Sequence, residues 1–190
     1  MKTKNNIASR NERGFSLVEL TVVILISFIL MAMAVLSIRG ALPGMRADAA
    51  MNRVMGQLRT GRELSLAQRR FIRLQFIGNN QVRLQRIEVG GAIQAAPLDV
   101  VLENNVQFMQ FPGLPDTPDA FGNNTAVDFG GTPTTLWNSD GTFVDTKGLP
   151  LNGTVFLAIP GQPSSARAVT ILGSTGRVRA YRWNGRAWAD

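Results

Sequence analysis

Hydrophobic and polar positions divide the chain into one continuous apolar segment near the amino terminus and a longer part in which they alternate. Between residues 15 and 38 the only formally charged side chain is Glu19. A helix over this segment spans about 36 Å at about 1.5 Å per residue, which is enough to cross a bilayer with some tilt. We therefore predict a membrane-spanning helix over 15–38 and a water-soluble domain over 39–190.

The residues directly after the apolar segment disfavour a regular helix. Gly40, Pro43 and Gly44 are poor helix formers, and proline has no backbone N–H to donate. We expect a kink or a short unwound stretch over 39–45. From about 45 to 68, apolar residues again recur at spacings of three and four, which predicts an amphipathic helix whose arginines form a solvated face. Its apolar stripe consists of Ala47, Met51, Val54 and Leu58.

Strand patterns cover most of the remaining chain, from about 71 to 190. Ile72, Leu74 and Phe76 alternate with polar residues before a Gly-Asn-Asn turn, and the alternation resumes afterwards, which is typical of a β-hairpin. Residues 112–124 are rich in Pro, Gly, Asp and Asn and predict a long loop. A long amino-terminal helix followed by antiparallel strands predicts an α+β fold. Further candidate strands lie at 99–111, 126–129, 134–139, 154–159, 168–172 and 177–183.

Composition removes several classes of chemistry. Cysteine and histidine are both absent, which excludes a Cys/His zinc site, a Ser-His-Asp triad and a cysteine nucleophile. The later acidic residues occur singly in turn-like contexts, so we expect no enzymatic activity and no cofactor. Calcium binding by the stretch DTPDAFGNN (116–124) is an alternative, but the spacing matches no defined calcium loop and a solvated turn is the simpler interpretation. The oxygen donors concerned are Asp116, Asp119, Asn123 and Asn124.

The first fourteen residues have a formal charge of +3, from Lys2, Lys4, Arg10 and Arg13 against Glu12. Under the positive-inside rule this segment stays in the cytoplasm and the domain lies across the membrane. A cleaved secretory signal peptide is one alternative, because residues 32–34 resemble an A-x-A site; its apolar region is longer than the usual ~7–15 residues, however, and contains Glu19. An uncleaved signal anchor explains the length, but neither Gly14 nor Glu19.

The stretch RGFSLVEL (13–20) closely resembles the type III signal of type IV prepilins and type II secretion pseudopilins. The resemblance implies that 1–14 is a basic leader, that a prepilin peptidase cleaves between Gly14 and Phe15, and that the Phe15 amine is then N-methylated. Glu19 becomes the fifth residue of the mature chain. A buried ammonium and a buried carboxylate are each costly alone. We therefore expect Glu19 to pair with the Phe15 amine of its own or a neighbouring subunit during assembly.

The order of the remaining elements most resembles the GspH/FimT family of type IV pilin-like proteins. The segments QLRTGRELSLAQRRFIRLQF, WNSDGTFVD and VTILGSTGRVRAYRW carry this resemblance. It implies a pilin-like α+β fold and a structural role as a minor pseudopilin of a type II secretion system. The expected partners are the prepilin peptidase, other pilin or pseudopilin subunits and inner-membrane lipid. The expected location is the bacterial inner membrane, single-pass with a periplasmic domain, before assembly into a filament.

The carboxy-terminal part is basic and suggests an alternative function. On an extended strand Arg177, Arg179, Tyr181 and Trp183 share one face, and guanidinium groups beside aromatic rings suit single-stranded nucleic acid. GRVR (176–179) also resembles the GRxR motif of the DNA-uptake branch of FimT proteins. The alternative is thus a type IV pilus minor pilin that binds DNA in natural transformation through Arg177, Arg179 and Arg182. The simpler interpretation makes Tyr181 and Trp183 core residues and the arginines a solubilising edge.

Overall fold

The computed structural model describes residues 14–94, 97–132 and 134–190, without the side chains of residues 36 and 37. A single helix precedes the strands in this part of the chain, which confirms the predicted α+β fold. The predicted leader lies outside the described residues except for Gly14. The elements are α1 (Leu17–Gln68), β1 (Ile72–Ile77), β2 (Gln81–Arg86), β3 (Leu98–Val101), β4 (Gln107–Phe108), β5 (Val127–Asp128), β6 (Thr135–Trp137), β7 (Phe143–Val144), β8 (Gly153–Ile159), β9 (Gln162–Leu172), β10 (Arg177–Trp183) and β11 (Trp188–Ala189).

Helix α1 is 52 residues long and includes Pro43. The short unwound stretch expected over 39–45 is therefore not observed. Proline removes only one backbone hydrogen bond from a helix, and the residues that follow Pro43 are held by other contacts. Arg167 Nη2 donates to the carbonyl oxygen of Gly44 at 3.2 Å, and Ala47 is fully buried. Residues up to Gly40 and residues 41–190 form two separate compact units.

The strands of the second unit form two antiparallel sheets. One has the order β3-β2-β1-β6-β7 and the other β11-β10-β9-β8-β4, with β5 also pairing with β8. The predicted hairpin is confirmed, since β1 and β2 pair from Ile72 opposite Arg86 to Ile77 opposite Gln81. The single strand predicted at 99–111 is wrong. Asn104 and Asn105 have positive φ angles of 58° and 61°, which turns the chain from β3 of one sheet to β4 of the other.

The main core lies between the second half of α1 and the two sheets. All four residues of the predicted apolar stripe are buried, which confirms that this part of α1 is amphipathic. Trp137 of β6 is fully buried, and its ring lies 4.9 Å from that of Phe143 between centroids. A smaller second cluster lies on the six-stranded sheet and contains Phe156, Ala166, Ala168, Tyr181 and Trp188.

Two glycines of α1 predict opposite effects of the same substitution on stability. A Cβ atom at Gly61 would lie 2.7 Å from Cδ1 and Nε1 of Trp137, whereas one at Gly56 meets nothing within 4 Å. Alanine in place of glycine favours an exposed helix by about 1 kcal/mol. Gly56→Ala should therefore raise the free energy of unfolding by up to about 1 kcal/mol. Gly61→Ala should lower it by about 1–3 kcal/mol, because the core is overpacked. Denaturant unfolding of both full-length variants measures the difference, and a stabilising Gly61→Ala would contradict the packing.

Candidate functional site

The amino-terminal end of the described chain lies outside the helix and is exposed. Gly14, Phe15 and Ser16 precede the helix, all three are exposed, and the side chain of Phe15 has a relative exposure of 80%. A peptidase binds its substrate in an extended form, with the scissile bond free of helical hydrogen bonds. The Gly14–Phe15 peptide bond lies outside the helix, which begins at Leu17.

Ser16 caps the amino terminus of α1, directly after that bond. Ser16 Oγ accepts a hydrogen bond from the backbone N–H of Val18 at 3.3 Å, and the Ser16 carbonyl accepts one from Leu20 at 3.1 Å. Ser16 is thus the N-cap residue, and Glu19 is the third residue of the helix. A carboxylate in the first turn is stabilised by the positive end of the helix dipole. Glu19 therefore lies where helix geometry already favours a negative charge.

The first half of α1 exposes apolar side chains around its whole circumference. Two of its hydroxyl groups donate to the helix backbone, Thr21 Oγ1 to the carbonyl of Val18 and Ser27 Oγ to that of Val23, both at 2.8 Å. These polar groups therefore need no water. Among the described residues, α1 is the one helix long and apolar enough to cross a membrane, judged by length and composition. Such a surface is stable in lipid or against other apolar helices, not in water.

The predicted DNA-contacting arginines lie in different environments. Arg177 is exposed, and its guanidinium makes no hydrogen bond or ion pair within the described chain. Arg179 Nη1 lies 3.1 Å from Asp119 Oδ1, and Arg182 Nε lies 3.0 Å from Asp48 Oδ1 of α1. Arg182 therefore belongs to the opposite face of β10 from Arg179, as strand alternation requires.

Asp119 ties the long loop to the six-stranded sheet. Its carboxylate accepts hydrogen bonds from Thr170 Oγ1 at 2.6 Å and from the Tyr181 hydroxyl at 2.9 Å, in addition to the Arg179 ion pair. Burial raises the pKa of Asp119, but these hydrogen bonds and the charges of Arg179 and Arg177 outweigh it, so the pKa lies below its usual value. Tyr181 is 2% exposed, which confirms that it is a core residue and leaves its ring unavailable for base stacking.

A second carboxylate, Asp48 of α1, holds the helix to the same sheet. Arg167 of β9 is buried, and its Nε lies 2.6 Å from Asp48 Oδ1. Its Nη1 donates to the carbonyls of Ser164 and Ala166 at 3.0 and 2.9 Å. Burial raises the pKa of Asp48, but the hydrogen bonds and charges of Arg167 and Arg182 lower it by more, so the pKa lies below its usual value. This cluster fixes the start of the packed half of α1.

The loop considered for calcium uses the carboxylates of both Asp116 and Asp119 within the protein. Asp116 accepts hydrogen bonds from the backbone N–H groups of Thr117 and Gly122 at 2.7 and 3.0 Å. The Asn123 side chain donates its own N–H to the Leu114 carbonyl. Over the described residues, no group of three or more acidic side chains is arranged to hold a metal ion.

Sequence reasoning missed three parts of this arrangement. The Ser16 N-cap was readable, because a serine three residues before a glutamate at the start of an apolar run is a helix-start signature. The Asp48–Arg167 and Asp119–Tyr181 contacts were not readable, since 119 and 62 residues separate the partners. Only the pairing of strands brings these side chains together.

Comparison with known proteins identifies the class of the amino-terminal segment. Residues 9–35 match the model of the prokaryotic N-terminal methylation motif. This segment is therefore a prepilin-type methylation motif, and the predicted resemblance to type IV pilin-like proteins is confirmed. No curated protein matches the sequence.

Solved structures with a similar chain include a minor pseudopilin and a minor pilin. The minor pseudopilin EpsH from the Type 2 Secretion System of Vibrio cholerae has 12% sequence identity and a TM-score of 0.48, and the match covers 72% of this chain and 97% of that chain. The type IV minor pilin FimU of Pseudomonas aeruginosa strain PAO1 has 15% identity and a TM-score of 0.49, with coverage of 80% and 96%.

Proposed function

We propose that this chain is a minor pseudopilin of a type II secretion system, a structural subunit of the periplasmic pseudopilus that serves protein export. The methylation motif at residues 9–35, followed at once by an exposed apolar helix, carries the proposal. The subunit catalyses no reaction itself and is a substrate of the prepilin peptidase.

The proposed maturation begins in the inner membrane. The basic leader stays in the cytoplasm, residues 15–38 span the bilayer and the domain lies in the periplasm. The peptidase hydrolyses the Gly14–Phe15 bond, which lies outside the helix, and the new Phe15 amine is methylated. Methylation leaves the amine protonated at neutral pH.

Assembly then places the apolar helix against the helices of other subunits. The Phe15 ammonium and the Glu19 carboxylate compensate each other in an environment without water, where either charge alone is costly. The capping geometry supports this role, because Glu19 already lies at the positive end of α1. The pair sets the axial register of neighbouring subunits.

Side-chain contacts favour the structural role over DNA capture by a type IV pilus. Of the three arginines predicted to contact DNA, Arg179 and Arg182 are engaged in ion pairs with Asp119 and Asp48. Tyr181 is buried and offers no ring for base stacking. Arg177 is the one of the three whose guanidinium makes no ion pair in the described part of the chain, and its charge also acts on Asp119. A groove for a nucleic acid backbone needs several free cations in a row.

Processing is the experiment that tests the proposed class. Mass spectrometry of the protein from native membranes should show a mature amino terminus at Phe15 that carries a methyl group. Gly14→Glu should leave the full-length precursor in the membrane, because a large charged side chain replaces the glycine before the scissile bond.

The matched control is Gly40→Ala, at a glycine where an added Cβ meets nothing within 4 Å. This variant should be processed like the wild type. A mature terminus near residue 35, or an intact Met1, contradicts the prepilin interpretation. Deletion of the gene then separates the two functions, because a pseudopilin mutant loses protein secretion whereas a DNA-binding pilin mutant loses transformation.

A further inference from the structure

A basic groove lies between the second half of α1 and the turn that joins β9 to β10. It has a volume of about 300 Å³ and is lined by Arg59, Arg62, Glu63, Leu66, Gly176, Arg177 and Val178. The four helix residues are spaced at i, i+3, i+4 and i+7, so they share one face of α1. The groove lies entirely within the compact unit 41–190.

The turn before β10 is packed closely enough to bring Arg177 beside the helix. Gly176 has a φ angle of +65°, and a Cβ atom there would meet the Gly141 carbonyl and, at 2.8 Å, Cζ3 of Trp137. Arg62 Nε donates to the same Gly141 carbonyl at 3.2 Å, which orients its guanidinium. Three arginines therefore line the same groove. Arg59 and Arg62 come from α1, and Arg177 comes from β10, 115 positions after Arg62.

Two of these guanidinium groups make no close polar contact within the described chain, although the charge of Arg177 also acts on Asp119 from a longer distance. In the described part of the chain, the side chains of Arg59 and Arg177 make no hydrogen bond or ion pair, and both residues are exposed. The apolar residue Leu66 beside them remains 44% exposed. A surface that combines free guanidinium groups with an exposed apolar side chain suits a ligand that has carboxylates next to an aliphatic residue.

We propose that this basic groove binds an acidic segment of a different protein, in which glutamate or aspartate carboxylates flank a leucine-like side chain. Glu63 lines the groove beside the arginines, and its negative charge disfavours a densely charged ligand such as a continuous row of phosphates more than a segment with one or two carboxylates. The neighbouring Arg179 is paired with Asp119, so the positive charge does not continue along β10 as a nucleic acid track.

Charge also argues against a second copy of this chain as the occupant. The whole chain has a net charge of +7 and the first fourteen residues contribute +3, which leaves +4 for residues 15–190. Two copies therefore repel each other, whereas an acidic partner is attracted from a distance. This proposal does not depend on the secretion role, because the groove can bind an acidic segment of a partner protein in either type of filament.

The test measures binding of a fluorescein-labelled peptide, GLEELG, to the full-length protein in neutral detergent by fluorescence anisotropy. The wild type should bind it with an affinity that falls as salt rises, and should not bind the uncharged peptide GLQQLG. Arg59→Gln combined with Arg177→Gln should weaken binding at least about tenfold, because two charge-assisted hydrogen bonds are lost. Circular dichroism checks that the variant is folded.

The matched control is Arg46→Gln combined with Arg186→Gln, which removes the same charge at two exposed arginines outside the groove. It should leave the peptide affinity within about twofold of the wild type. Equal loss in both double variants, or no binding of GLEELG to the wild type, overturns the proposal. Tighter binding of single-stranded oligothymidine than of the peptide, lost only in the groove variant, also overturns it and assigns the groove to nucleic acid.

Discussion

Glu19→Ala should leave membrane insertion intact and abolish most incorporation into filaments. Insertion should be unchanged or slightly better, because removing a charge from an apolar helix lowers the cost of transfer into lipid. Assembly should fail because the Phe15 ammonium loses its partner in a water-free environment. The measurement compares the amounts of variant and wild-type protein in membranes and in sheared filaments of cells that express both.

Two further variants separate the charge of Glu19 from its place in the helix cap. Glu19→Gln keeps the shape and removes the charge, so it should fail like Glu19→Ala. Ser16→Ala removes the N-cap oxygen that accepts from Val18 but keeps the carboxylate. It should cost about 1 kcal/mol of helix stability and assemble far better than either Glu19 variant. Equal incorporation of Glu19→Ala and wild type would show that Glu19 is not an assembly determinant.

Asp48→Ala should lower the free energy of unfolding by about 2–3 kcal/mol, because it leaves the buried Arg167 guanidinium without a counter-charge. The loss stays below that of a fully buried pair, because Asp48 keeps 32% side-chain exposure and carbonyl oxygens still bind Arg167. Denaturant unfolding of the full-length protein measures it. Glu103→Ala is the matched control, since the Arg53–Glu103 pair also joins α1 to the sheet domain but is 45% and 62% exposed. It should change stability far less than Asp48→Ala does, because solvent screens this exposed pair.

The same cluster predicts how the effect depends on pH. The pKa of Asp48 is lowered in the folded protein, so its contribution is present above the unfolded pKa and is lost as pH falls through the folded pKa. The stability difference between wild type and Asp48→Asn should therefore be largest near neutral pH and shrink in acid, below about pH 4. A difference that stays constant from pH 7 to strongly acidic conditions would show that the Asp48 charge contributes nothing.

The sequence by itself determined the parts of this protein that depend on neighbouring residues. The prepilin-type motif, the apolar helix after Phe15, the amphipathic stripe and the β1–β2 hairpin each rest on spacings of a few residues, and the family match or the structure confirms them. Local periodicity does not predict where a strand ends when a short turn interrupts it. At Asn104 and Asn105, two left-handed residues divide one apparent strand between two sheets, and the alternation of side chains gives no sign of the change.

Only the tertiary structure decided what the charged residues do. Five carboxy-terminal arginines look alike in the sequence, yet Arg167 is a buried anchor for α1 and Arg177 lines an open groove. The tertiary structure likewise made Tyr181 a core residue bonded to Asp119, 62 positions away. The physical reason is that the role of a long polar side chain depends on which opposite charge or carbonyl lies within about 3 Å. Strand pairing and helix packing set these distances, and residue spacing along the chain does not contain them.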